Sequence, residues 1–134
     1  MVVLSAFCVA NASIQVADGI VTRHLDTKRG RLLGLSYKLG RVEFMRKGSP
    51  EFAFRVDGKM YDGYSVWRNV TVEKIEGKDS SRTVKVRGVS FDGNIGLELT
   101  YTTYPGIALI RKTLTISNKG KKEVFITDVD VETF

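Results

Sequence analysis

Several residue types are nearly missing from this chain, and each scarcity removes a class of explanation. A single cysteine, Cys8, cannot close an internal disulfide, so this is not a stapled secreted miniature. With no histidine or basic residue beside it to favour the thiolate, Cys8 reads as a small buried apolar side chain. A single histidine, His24, would have to serve any Ser-His-Asp triad and leaves a zinc site of the usual His/Cys composition short of ligands. It also counts against a mutarotase, whose chemistry requires a paired acid and base. The plain reading of His24 is a surface or half-buried strand residue. No metal and no cofactor are called for. No stretch reaches the ~18 apolar residues of a membrane span. The two prolines, Pro50 and Pro105, both stand at the ends of apolar runs, where a missing N–H harms no central ladder.

What is present is a set of short, β-branched-rich runs separated by Gly, Asn, Asp and Lys. In 134 residues that spacing predicts one all-β domain, an antiparallel sandwich without substantial helix. The clearest run is Ile95 to Asn118. Leu97, Leu99 and Tyr101 alternate with Glu98, Thr100 and Thr102, the period of two that divides a strand between core and outer face. Tyr104-Pro105-Gly106 then offers the central pair of a type II turn. Beyond it, Ile110, Leu114 and Ile116 resume the inward face, opposite Leu109, Arg111, Thr113 and Thr115. The outcome is a long hairpin.

The same alternation places Ile20, Thr22 and His24 on one face of an earlier strand and Val21, Arg23 and Leu25 on the other. Asp18-Gly19 and Asp57-Gly58 are hairpin turns. Leu33, Leu35, Tyr37 and Leu39 stand in phase as a shared core face. Val70 and Val72 are in phase while Ile75 is not, which predicts a bulge or twist near Ile75. Val84 and Val86 point inward against Lys85 and Arg87. For residues 1–12 two readings stand, a clipped signal remnant or a first strand, and Phe7, Val9, Ile14 and Val16 favour the strand. Val129 and Val131 alternate with acids in a last strand that reaches Phe134 without a closing turn, as expected of a polypeptide that continues or of an ordinary terminal strand.

The net charge of +6 raises nucleic-acid binding. The basic residues are spread along the chain, however, with local groups at 28–31, 46–47 and 119–122 in expected turns. No nucleic-acid motif accompanies them, so neither nucleic acid nor membrane is expected as a partner. Asp128, Asp130 and Glu132 form an i, i+2, i+4 acidic row. Such a row suits calcium or paired-carboxylate chemistry, but a solvated or ion-paired face is the stronger reading, with Arg111 or Lys112 as partners. Tyr61, Tyr64 and Trp67 are the candidate carbohydrate-binding residues, since flat aromatic faces pack on pyranose C–H faces; core packing is the competing account. No residue is nominated as catalytic. Asn11 and Asn69 head glycosylation sequons, relevant only in a eukaryotic secretory pathway.

The pattern Tyr104-Pro105-Gly106, Ile110-Arg111-Lys112, Ile116-Ser117-Asn118, with Leu97-Glu98-Leu99-Thr100-Tyr101 before it and Ile126 to Glu132 after it, resembles the N-terminal β-sandwich of α-galactosidase-like glycoside hydrolases. Asn11-Ala12-Ser13-Ile14, Gly19 to Arg23 and Gly30-Arg31-Leu32 extend that likeness to nearly the whole chain. The resemblance implies a galactose-mutarotase-like supersandwich over residues 1–134, the N-terminal part of a longer enzyme. It would be non-catalytic, secreted or periplasmic, and packed on a catalytic (β/α)8 domain of the parent chain that holds the reactive carboxylates. Carbohydrate contact at the rim would be its second role. The alternative is an Ig-like adhesion or protein-interaction module.

Overall fold

A computed structural model describes residues 4–9, 13–18 and 20–133, with side chains described from Ile14 on apart from Asp18. Within these residues the alternating runs form thirteen strands and no α-helix. They are β1 (Leu4–Val9), β2 (Ser13–Asp18), β3 (Val21–Asp26), β4 (Leu33–Leu39), β5 (Val42–Glu43), β6 (Ser49–Pro50) and β7 (Ala53–Val56). There follow β8 (Lys59–Asp62), β9 (Trp67–Glu76), β10 (Arg82–Ser90), β11 (Ile95–Tyr104), β12 (Ile107–Asn118) and β13 (Ile126–Asp130). One 3-10 turn spans Lys28–Gly30.

The strands make three antiparallel sheets, ordered β1-β9-β10-β11-β12, β2-β3-β4-β5 with β6 also on β4, and β13-β7-β8. Side chains from all three meet in one core. Val70, Val72, Val84, Val86, Leu97, Leu99 and Tyr101 come from the first sheet, Ile14, Val16 and Leu25 from the second, Phe54, Val56 and Tyr61 from the third. This is the expected all-β, sandwich-like architecture. Residues 4–9, one of the two alternatives for the N-terminus, pair as a strand with β9, and Cys8 lies opposite Val72. The side chains of Phe7, Cys8 and Val9 lie outside the described residues, as does Asn11.

The long hairpin forms as the alternation predicts. Residues 97, 99, 101 and 103 of β11 are buried, and Ile110, Leu114 and Ile116 of β12 pack against the core. Tyr104 pairs with Ile107 across Pro105-Gly106, with Gly106 at φ +74°, the positive value the second central position of a type II turn demands. Asp57 (φ 49°) and Gly58 (φ 81°) make the β7–β8 turn with both residues left-handed, as a type I′ turn requires.

Three expectations fail, each at a bulge. Leu33, Leu35, Tyr37 and Leu39 do not share a core face, because the β3–β4 register slips between His24 and Leu25. His24 faces Ser36 but Leu25 faces Gly34, so Leu35 is the extra residue and the phase inverts across it. Leu32 and Gly34 are buried on one side of the slip, while Leu39 emerges at the surface. On β9 the irregularity lies at Asn69 (φ 54°), between the Arg68–Val89 and Thr71–Arg87 pairs, rather than near Ile75. On β13 the register shifts between Thr127 and Asp130, with Asp128 at φ 51°. The acidic row is therefore broken: Asp128 pairs with Arg55 at 3.4 Å, and Glu132, beyond the strand, turns inward.

Glycine is needed where the layers close. A Cβ on Gly63 would stand inside van der Waals contact of the Leu32 carbonyl oxygen, 2.8 Å from the Glu51 nitrogen and 2.9 Å from Pro50 Cα. All three neighbours are backbone and cannot swing aside. Gly63→Ala is expected to lower stability by about 3 kcal/mol or more, read as a lower urea midpoint at unchanged m-value.

Candidate functional site

Two polar constellations stand out, one closed and one open. The closed one begins with Arg23, which strand alternation places between Val21 and Leu25 on the buried face of β3. Its side chain is 1% exposed. Arg23 donates from Nη1 to Glu132 Oε2 (2.9 Å) and from Nη2 to Glu132 Oε1 (2.5 Å). Nη2 also donates to both oxygens of Glu51, at 3.0 and 2.9 Å. Glu51 is 1% exposed, accepts from the Tyr101 hydroxyl, and lies 3.1 Å from Lys112 Nζ. Lys112 shares the inward phase of Ile110 and Leu114, donates to the Glu51 carbonyl oxygen, and reaches Glu132 at 3.4 Å. The guanidinium lies over Tyr37 and Tyr101, 5.1 and 5.5 Å from their ring centres.

Two cations and two carboxylates thus share one low-dielectric site. Burial opposes the charge on Arg23, but the bidentate Glu132 and the nearby Glu51 outweigh it and push its pKa up. Burial and the charge of Arg23 push Lys112 down, with Glu51 and Glu132 opposing. Burial, reinforced by Glu51, pushes Tyr101 well up, so it stays a neutral donor. Glu51 is fully engaged and closed to solvent, which suits cohesion rather than proton transfer to a substrate.

The open constellation is a cleft of about 150 Å³ where β8 meets the β10–β11 turn. Lys59, Tyr61, Val66, Trp67, Phe91 and Asp92 contribute to its walls. The turn is built around Asp92, whose Oδ1 accepts from Ser90 Oγ (2.5 Å) and the Asn94 N–H (3.0 Å). Gly93 sits at φ +81° and donates to the Ser90 carbonyl. That leaves Oδ2 facing the cleft, where it accepts from the Tyr61 hydroxyl at 3.1 Å and meets Lys59 at 3.8 Å. The Ser90 hydroxyl, with the Asn94 N–H, Tyr61 and Lys59 behind it, holds the Asp92 carboxyl down at about 2. Phe91 is 73% exposed, with the Arg68 guanidinium 5.8 Å from its ring centre.

Of the three aromatic candidates, the structure brings Tyr61 and Trp67 together and leaves Tyr64 apart. Tyr61 and Trp67 are buried, 6.2 Å between ring centres. Phe54 stacks on Tyr61 at 5.7 Å and 8°, and Lys59 lies 5.0 Å over the same ring. Phe52 meets Trp67 edge-on at 5.6 Å, and the indole N–H donates to the Asp62 carbonyl. Their faces are thus taken up by the core, and only their rims reach the cleft. Tyr64 is 52% exposed on the Asp62-capped turn. His24 is half-buried on β3, facing Gln15 and Ser36 across the sheet. The expected pairing of the acids with Lys112 holds for Glu132.

Phe91 and Asp92 were missed as site residues because Phe91-Asp92-Gly93-Asn94 reads as a turn. A bulky aromatic at a turn tip was the available signal. Arg23 and Lys112 carried a signal as well, a charge standing in an apolar phase. Glu51, outside any alternating run, carried none. Among the described residues no group of three His, Cys, Asp or Glu side chains is placed to hold a metal, and no helix is long and apolar enough to cross a membrane. No protein-family model, curated protein or solved structure matches the chain.

Two outcomes are expected. Glu51→Gln leaves two buried cations with one carboxylate and should cost about 3–5 kcal/mol, read by thermal unfolding. For Asp92 the folded pKa, about 2, lies below the ordinary 3.8, so its stabilisation is present above 3.8 and lost as pH falls through 2. Asp92→Asn should therefore be less stable than the parent at neutral pH, with the gap closing between about pH 4 and about pH 2. A gap unchanged over that window would contradict the assignment.

Proposed function

We propose that the chain is a non-catalytic accessory β-sandwich of an α-galactosidase-like, carbohydrate-active enzyme, exported to the cell exterior or periplasm, and that it contacts carbohydrate at the Phe91–Asp92 cleft. The observation that carries this is the composition of the cleft. Asp92 is its one carboxylate among the described residues, and it is held ionised near pKa 2 by the turn it organises. Glycoside hydrolysis ordinarily needs two carboxyls, one of them protonated near neutral pH. An exposed ring beside a fixed acceptor and the Lys59 ammonium suits holding a sugar, with the apolar face on Phe91 and hydroxyls on Asp92 and Lys59. The resemblance drawn from the hairpin supplies the enzyme class. The exposed apolar residues Phe125, Ile126, Val129 and Val131 along and beside β13 supply a face for packing on a catalytic (β/α)8 domain. The same face favours the rival reading, an Ig-like protein-interaction module.

Isothermal titration with galactosides and plant oligosaccharides, alongside a turnover assay on aryl glycosides, tests the proposal. Saturable heat is expected, with an affinity at least about tenfold weaker in Phe91→Ala, the loss of roughly 1.4 kcal/mol or more, and with no turnover. Turnover by the chain alone would defeat the non-catalytic reading. Absence of heat with every glycan would defeat the sugar contact and leave a structural role only.

A further inference from the structure

The closed constellation has one member unlike the others. Arg23, Glu51 and Lys112 are 1%, 1% and 6% exposed, whereas Glu132 is 28% exposed and is carried on the segment that follows β13. That segment is lightly held. Among the described residues β13 pairs only with β7, at Ile126, Thr127 and Asp130, with the left-handed Asp128 between them, and each of its side chains is exposed. Strands with few buried apolar contacts and interrupted ladders are the first to open. What retains its end is polar: Glu132 on Arg23 and Lys112, and the Thr133 hydroxyl on the Pro50 carbonyl oxygen.

We propose that Arg23 and Lys112 form a carboxylate-binding site whose resident occupant, Glu132, is a tethered ligand on a releasable strap, so that a small free monocarboxylate takes its place when the strap lets go. Two observations define the ligand. The Arg23 fork engages Glu132 through two parallel N–H···O bonds, the geometry that selects a planar carboxylate. Charge counting selects a monoanion: Glu51 cancels one of the two buried cations, and the other needs a single negative charge. Beside the site, the Tyr37 ring that covers Arg23 also walls an apolar groove of about 210 Å³ with Val21, Leu39, Phe44 and Ala108. This inference does not depend on the carbohydrate reading.

Chemical rescue tests it. Glu132→Ala empties the site, and thermal unfolding of the full chain is followed in sodium acetate against sodium chloride at matched ionic strength and neutral pH. The variant is expected to gain stability saturably in acetate, by roughly 5 °C at ten times the half-saturating concentration. The parent chain, in which tethered Glu132 outcompetes free acetate, should respond nearly equally to the two salts, and Glu132→Gln, whose neutral amide leaves one buried cation unmatched, should respond to acetate less than Glu132→Ala. If Glu132→Ala is unfolded in chloride, recovery of the β-sheet circular dichroism in acetate is the readout. Equal responses of Glu132→Ala to both salts, no recovery at any acetate concentration, or an acetate gain as large in the parent chain as in Glu132→Ala would each overturn the proposal.

Discussion

The arrangement of the three sheets depends on one guanidinium. Arg23 comes from the β2–β5 sheet, Tyr101 and Lys112 from the β1–β12 sheet, Glu51 from the link into β7, and Glu132 from the segment that leaves β13. Removing a guanidinium from water costs several kcal/mol unless opposite charge and hydrogen bonds meet it inside. Here they come from residues up to 109 positions apart in the chain. Apolar contacts would tolerate small sliding of one sheet over another, whereas a guanidinium held by the buried Glu51, itself tied to Tyr101 and Lys112, fixes the offset. The buried charges are thus better understood as setting the alignment of the layers than as adding greatly to their stability.

The aromatic cluster does a related job at the other end of the core. Phe52, Phe54, Tyr61 and Trp67 interlock at ring separations of 5.6 to 6.5 Å, which anchors β7 and β8 and the entry of β9 to one another. Because those rings are held, the short turn carrying Phe91 and Asp92 has a firm wall to lean on, through the Tyr61 hydroxyl. The residues best suited to stack a sugar by chemistry alone are therefore the ones that make the site rigid, and the exposed ring is a neighbour that sequence reasoning passed over.

What could be read from the chain, and what could not, follows from where information is local. The β11–β12 hairpin was legible because Leu97, Leu99 and Tyr101 keep an unbroken period of two and Pro105-Gly106 fixes the reversal. The β4 face was misread because one bulged residue, Leu35, inverts the phase, and a bulge is decided by pairing with β3 rather than by the residues of β4. The acidic row failed for the same reason at Asp128. Arg23 was placed with Val21 and Leu25 without the inference that an inward charge must have an inward partner, and Lys112, in the phase of Ile110 and Leu114, was not assigned a face. Glu51 and Glu132 could not have been named as those partners, since nothing in sequence spacing brings positions 51 and 132 together.

The free side of β12 has a consequence for behaviour in concentrated solution. Among the described residues β12 (Ile107–Asn118) is the border of its sheet and pairs with β11 alone, and such a border is a template to which a second molecule can add. No acid occurs between Leu99 and Lys122, while Arg111, Lys119, Lys121 and Lys122 stand exposed on or just beyond this border. Two such borders brought side by side repel. The excess of positive charge acts here as a gatekeeper against fibrous self-assembly.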